Sequence, residues 1–148
     1  MPQMILLIED NQTDIGLTRR ALVKSGIGDN LVVKEDGQDA LDFLFNKGIS
    51  AGGLENILPD LILLDLKMPK VSGLEVLRRI REDRRTRRIP VVVLTSSIEE
   101  KDVAAAYDLG ANSYLRKPVD FKQFAEAIHS IGSYWLELNV PPPLTQKT

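Results

Sequence analysis

Apolar residues gather in five short runs: Met4 to Ile8, Leu31 to Val33, Leu61 to Leu64, Val91 to Leu94 and the weaker Ser113-Tyr114-Leu115. Each has the length of a strand. In the first, third and fourth the aliphatics are almost continuous, which predicts burial on both faces and so the centre of a parallel sheet. Helical spacing fills the intervals. Ile15, Thr18 and Leu22 share a face behind a cap at Asn11, with Asp14 three positions on and Gly26 as a stop. Ala40, Leu41 and Leu44 mark a helix over 38–46, and Leu74, Leu77 and Ile80 mark another after the turn Ser72-Gly73. Val103, Ala106 and Tyr107 form a stripe that ends before Gly110, and a last helix starting near Asp120 carries Phe124, Ile128, Ile131 and Trp135. Strand and helix thus alternate five times, which implies right-handed crossovers and helices on both faces of a doubly wound, five-stranded parallel α/β sheet.

Two segments break the pattern. The stretch from Lys47 to Leu58, with Gly48, Gly52 and Gly53, is long for a connection in such a fold. The end, 140–148, contains Pro141, Pro142 and Pro143, which cannot continue a helix and favour an extended tail. The expected organisation is one domain over 1–139 and a proline-rich tail over 140–148. A length of 148 residues and a hydrophobic content of 43% suffice for one core. The formal charge of −2 offers no basic field for nucleic acid, and the absence of cysteine removes disulfides, thiolate metal sites and thiol nucleophiles. The opening Met1-Pro2-Gln3 has no basic leader, and the apolar run after it stops at Glu9-Asp10, too short for a signal or a membrane span. The expected location is the cytoplasm.

Chemistry collects where the strands end. In open parallel sheets ligands gather beyond the carboxyl ends of the strands, and here the first strand ends in Glu9-Asp10, the third in Asp65, the fourth in Thr95-Ser96 and the fifth in Lys117-Pro118. Taken singly, each is also read as a loop residue, a helix cap or a surface lysine. Taken together, three carboxylates at one edge would repel and raise the pKa of at least one, unless a cation sits among them. Oxygen donors suit magnesium, and no imidazole competes, since His129 lies in the last helix. Lys117 adds a point charge and Thr95 a hydroxyl, both suited to a phosphoryl group that Asp65 would attack.

The stretches LLIEDN at 6–11, LILLDLKMP at 61–69, VVVLTSS at 91–97 and SYLRKP at 113–118 resemble the receiver domains of two-component response regulators, in order and over roughly 4–138. The resemblance implies a flavodoxin-like sheet of order 2-1-3-4-5 and a signalling switch rather than an enzyme. It implies that Asp65 accepts a phosphoryl group from the phosphohistidine of a sensor histidine kinase. It further implies that Asp10, Glu9, Asp65 and the main-chain carbonyl of Lys67 hold Mg2+, with Mn2+ as a substitute. Thr95 and Lys117 would engage the phosphoryl group, Tyr114 would be the aromatic switch, and the Lys117–Pro118 bond would be cis. Lys67 and Ser97 would tune the lifetime of the acyl phosphate.

A narrower resemblance rests on the long segment before the third strand, on Ser133-Tyr-Trp-Leu-Glu-Leu-Asn-Val-Pro-Pro-Pro143 and on the lack of an output domain. These features are similar to stand-alone regulators that accompany phytochrome-type kinases, and imply a homodimer through the face built from 99–138. The other reading is that Tyr134 and Trp135 simply close the core. Arg78, Arg79, Arg81, Arg84, Arg85, Arg87 and Arg88 read as a solvated helix terminus, with docking of an acidic partner as the other reading. The downstream target is not legible, and no recognition element for DNA follows. The rival functions are a magnesium-dependent phosphatase with an aspartate nucleophile and a phosphorylation-independent interaction module. The first lacks its second acid, because Lys67 stands two residues after Asp65, and the second leaves the full acid–lysine set unexplained.

Overall fold

The computed structural model describes residues 3–27, 30–45 and 58–143, so most of the expected long segment at 47–58 and the end of the tail lie outside the described residues. Five parallel strands, β1 (Ile5–Ile8), β2 (Leu31–Lys34), β3 (Leu61–Leu64), β4 (Val91–Thr95) and β5 (Ser113–Arg116), form one sheet of order β2-β1-β3-β4-β5. The helices are α1 (Gln12–Lys24), α2 (Gly37–Leu44), α3 (Gly73–Glu82), α4 (Glu100–Asp108) and α5 (Phe121–Gly132), and α5 runs on into a π-helical stretch, Ser133–Leu138.

Period-two alternation of the central strands divides the core. Leu6, Ile8, Ile62, Leu64, Val91 and Val93 face α2, α3 and α4, where Leu41, Leu77, Ile80 and Ala106 meet them. Ile5, Leu7, Leu61, Leu63, Val92 and Leu94 face α1 and α5, against Ile15, Leu22, Phe124 and Ile128. All four residues of β1 and of β3 are buried, whereas β2 is half-buried throughout, as an edge strand with one uncovered side must be. Each fully buried Leu or Ile contributes about 1.5–3 kcal/mol, so the continuous aliphatic runs fix the centre of the sheet firmly.

Local signals set the boundaries. Asn11, Asp36, Ser72 and Asp120 each cap a helix by accepting from a main-chain N–H two or three residues on. The second helix starts at Gly37, one residue before the expected Gln38, behind the cap Asp36. Gly110, at φ 102, takes the left-handed turn that ends α4, a conformation few other residues accept. The stripe expected on α4 is narrower than the spacing suggested: Ala106 is buried and Val103 half-buried, but Tyr107 faces outward. Trp135 packs on the core while Tyr134 lies edge-to-face against it and half-exposed, so only the first of the pair closes the interior.

The arginine-rich segment also departs from a purely solvated terminus. Arg81 is half-buried, and its guanidinium donates to the carbonyls of Gly110 at 2.8 Å, Arg87 at 2.9 Å and Ile89 at 2.8 Å and to Asn112 Oδ1 at 2.8 Å. Arg78 pairs with Glu75 and Glu82 on its own helix. A rigid planar fork can satisfy several carbonyls at once, which pulls Arg81 inward while its neighbours stay wet.

Candidate functional site at the carboxyl edge of the sheet

Strand order reverses at β1, which has β2 on one side and β3 on the other, and this is where a crevice opens beyond the strand ends. Ile8 and Leu64 are register partners, so the next residues, Glu9 and Asp65, emerge side by side. Main-chain bonds hold them there: Asp65 N donates to Ile8 O at 3.0 Å and Glu9 N to Lys34 O at 3.0 Å. Asp10 follows on the exposed side. Carboxylate oxygens of Glu9, Asp10 and Asp65 lie within 4.8 Å of one another.

From the other side of the crevice, β4 and β5 bring Thr95 and Lys117 together. Thr95 pairs in register with Arg116, and Lys117 N donates to Thr95 O at 2.8 Å. Thr95 is fully buried, and its hydroxyl accepts a long 3.5 Å contact from Ser97 N. The Lys117 ammonium reaches Glu9 Oε1 at 2.6 Å, Asp14 Oδ2 at 2.8 Å and Asp65 Oδ2 at 3.7 Å, with its side chain only 9% exposed. The Lys117–Pro118 bond is trans, contrary to the cis geometry the resemblance implied. Trans is the form X-Pro favours by about 0.5–1 kcal/mol, and in it Lys117 already reaches the acids.

The charge balance of this cluster is unequal. Burial pushes the Glu9 carboxyl up to about 7, its hydrogen bond to Lys117 opposes that, and the nearby Asp65 charge adds to it. Burial alone would lower the Lys117 pKa, but hydrogen bonds to Asp14 and Glu9 and the charge of Asp65 outweigh it and hold the ammonium above its ordinary value. One lysine therefore does not neutralise the acids it touches. Three oxygen donors with residual negative charge and no sulfur or imidazole among them fit a hard divalent cation.

Behind Asp65 the loop is tightly built. Gly73 N donates to Leu66 O at 2.9 Å, and a Cβ on Gly73 would stand 2.2 Å from Asp65 O. Lys67 is exposed within this loop, and Lys70 takes φ 68, a left-handed conformation uncommon for a residue with a side chain. Beyond Thr95, Ser97 gathers three contacts: its hydroxyl donates to Asp102 Oδ2 at 2.5 Å and accepts from Glu99 N at 3.3 Å, and its carbonyl accepts from the Tyr114 hydroxyl at 3.3 Å. Tyr114 thus lies half-buried against the β4–α4 loop. Asp14 had no place in the expected site beyond the first turn of α1. A carboxylate one helical turn after Asp10 was the available signal.

Comparison with known proteins follows the same lines. The model of the response regulator receiver domain matches residues 5–129. The probable methanogenesis regulatory protein FilR2 of Methanothrix harundinacea is 42% identical over 141 residues, covering 95% of this chain and 88% of that protein. Response regulator Rcp1 of Synechocystis sp. is 42% identical over 136 residues, 92% of this chain and 90% of its own length. Its Mn(2+)-bound crystal structure superposes with a TM-score of 0.87 at 41% identity, over 96% of this chain and 100% of that one. The phosphorylated cyanobacterial phytochrome response regulator RcpA superposes with a TM-score of 0.89 at 39% identity, over 97% of this chain and 100% of that one.

Proposed function

The chain belongs to the response regulator receiver family, and from that premise we propose that it is a signalling switch driven by phosphorylation of Asp65. The observation that carries this reading is the crevice itself: Asp65 beside Glu9 and Asp10, with the Lys117 ammonium 3.7 Å from its carboxylate. A carboxylate oxygen of Asp65 attacks the phosphorus of a phosphohistidine on a sensor kinase, the N–P bond breaks, and the imidazole leaves with a proton. Glu9, Asp10, Asp65 and the Lys67 carbonyl hold Mg2+, or Mn2+ in its place. The ion supplies charge neutralisation for the incoming dianion. The Lys117 ammonium moves to the phosphoryl oxygens, and the Thr95 hydroxyl donates to them from the end of β4.

Water later hydrolyses the acyl phosphate and resets the protein, so it serves as a phosphoacceptor rather than as an enzyme with a separate substrate. Residues 1–139 act as the receiver unit, with the tail outside it. The kinase is of the phytochrome type, a reading supported by the likeness to the phytochrome response regulator RcpA. The proposed site of action is the cytoplasm, and among the described residues no helix is long and apolar enough to cross a membrane. Activated chains pair through the face built from 99–138. The test is incubation with acetyl phosphate and Mg2+, followed by intact mass. Wild type gains one acid-labile phosphate and Asp65→Asn gains none; equal labelling of both proteins would remove Asp65 from the role.

A further inference from the structure

The N-terminus of α1 is capped in an unusual way, and the irregularity bears on Lys117. Asn11 accepts from Asp14 N at 2.9 Å, so Asp14 occupies the position from which an acidic side chain commonly reaches back to the cap's own N–H. Here that N–H is taken by Glu9 Oε2 at 3.2 Å. Released from the cap, the Asp14 carboxylate turns to Lys117 Nζ at 2.8 Å, across a sequence separation of 103. A lysine ammonium has three protons to donate. Glu9 at 2.6 Å and Asp14 at 2.8 Å take two of them, and Asp65 at 3.7 Å lies beyond hydrogen-bond reach.

We propose that Asp14 is a positioning residue that tethers the Lys117 ammonium on the α1 side of the crevice, away from Asp65, and so opposes its engagement with a phosphoryl group there. The inference rests on the reading of Asp65 as phosphoacceptor. An interaction that favours one of two arrangements shifts their ratio by its differential strength. A charge-assisted bond to a carboxylate only 23% exposed, discounted for that exposure, biases the arrangement by about threefold to tenfold.

The probe is beryllium trifluoride, a phosphoryl mimic, titrated calorimetrically in saturating Mg2+. Asp14→Asn is isosteric and leaves the main-chain cap to Asn11 in place. It should bind the mimic about threefold to tenfold more tightly than wild type, and Asp14→Glu should return towards the wild-type affinity. Loss of a negative charge could give the same sign through space, so the substitution is repeated on a Lys117→Met background. There the gain disappears if Asp14 acts through the ammonium. A second reading needs neither mimic nor metal: by nitrogen-15 NMR in chelator, the Lys117 Nζ protons exchange slowly in wild type and faster in Asp14→Asn. Unchanged or weaker mimic binding by Asp14→Asn, a gain that survives Lys117→Met, or unaltered Nζ exchange would each overturn the tether. Asp65→Asn serves as the separate control, because undiminished mimic binding by it would sink the assignment of the phosphoacceptor instead.

Discussion

Glu9 is buried among acids, and its ionisation sets the balance of the crevice. Its carboxyl is displaced from 4.5 to about 7, chiefly by burial, so the folded protein binds its proton more tightly than the unfolded chain does. The stability contributed by neutral Glu9 is therefore full below the unfolded value and is lost as pH rises through about 7. In metal-free buffer, wild type should lose ground to Glu9→Gln between pH 5 and pH 8, and urea titrations at the two pH values measure the difference. Added Mn2+ should reverse the order at pH 8, because the ion binds the carboxylate and not the amide. The individual acids were legible from the sequence, since they follow apolar runs that must end at one edge. The Lys117–Asp14 contact was not: a separation of 103 residues and a choice of rotamer leave no local trace.

Elements were legible where burial is two-sided. The β3 run is read to the residue, and β1 and β4 differ from their apolar runs only at one end, because continuous aliphatics leave no other register. The edge strands β2 and β5 likewise run one residue past their apolar runs, and it was the inward turn of Arg81 that needed the third dimension. Two contacts between elements carry predictions. Arg81 binds the end of α3 to the segment before β4 through the Arg87 and Ile89 carbonyls, and to the turn before β5 through the Gly110 carbonyl and Asn112, whose Oδ1 also accepts from Val91 N at 2.8 Å. Arg81→Ala removes all four of these bonds and should cost about 2–4 kcal/mol in urea unfolding, while Arg81→Lys, without the fork, should recover less than half of that. Gly73 meets main chain, not a flexible side chain, at Asp65 O and the Leu66 Cα. Gly73→Ala must displace that loop at a cost of about 1–3 kcal/mol, and Mn2+ affinity should fall with stability because Asp65 moves. Unchanged metal affinity in a destabilised variant would separate the loop from the site.

At the scale of the whole molecule, the question is how a dianion on Asp65 reaches the distant face of 99–138. The connecting parts are adjacent. Thr95 ends β4, Ser97 lies two residues on with its hydroxyl on Asp102 at the start of α4, and Tyr114 of β5 donates to the Ser97 carbonyl. On the proposed reading, a phosphoryl group draws the Thr95 hydroxyl towards Asp65, and the strand end, the Ser97 hub and the Tyr114 ring move with it. A charge-assisted hydrogen bond of about 1.5–3 kcal/mol, formed in only one of two arrangements, shifts their ratio about ten- to a hundredfold. That is enough to convert a chain mostly in one state into one mostly in the other. Thr95→Ala retains Asp65, Lys117 and the acids, so it should accept phosphate to wild-type occupancy but lose the phosphate-dependent change in association. Sedimentation velocity and intact mass on the same samples measure both quantities. A Thr95→Ala protein that is fully phosphorylated and associates as wild type does would exclude Thr95 as the link. Association independent of phosphate in both proteins would instead make the pairing constitutive, and would move the regulated contact from the 99–138 face to the surface presented to the kinase or target.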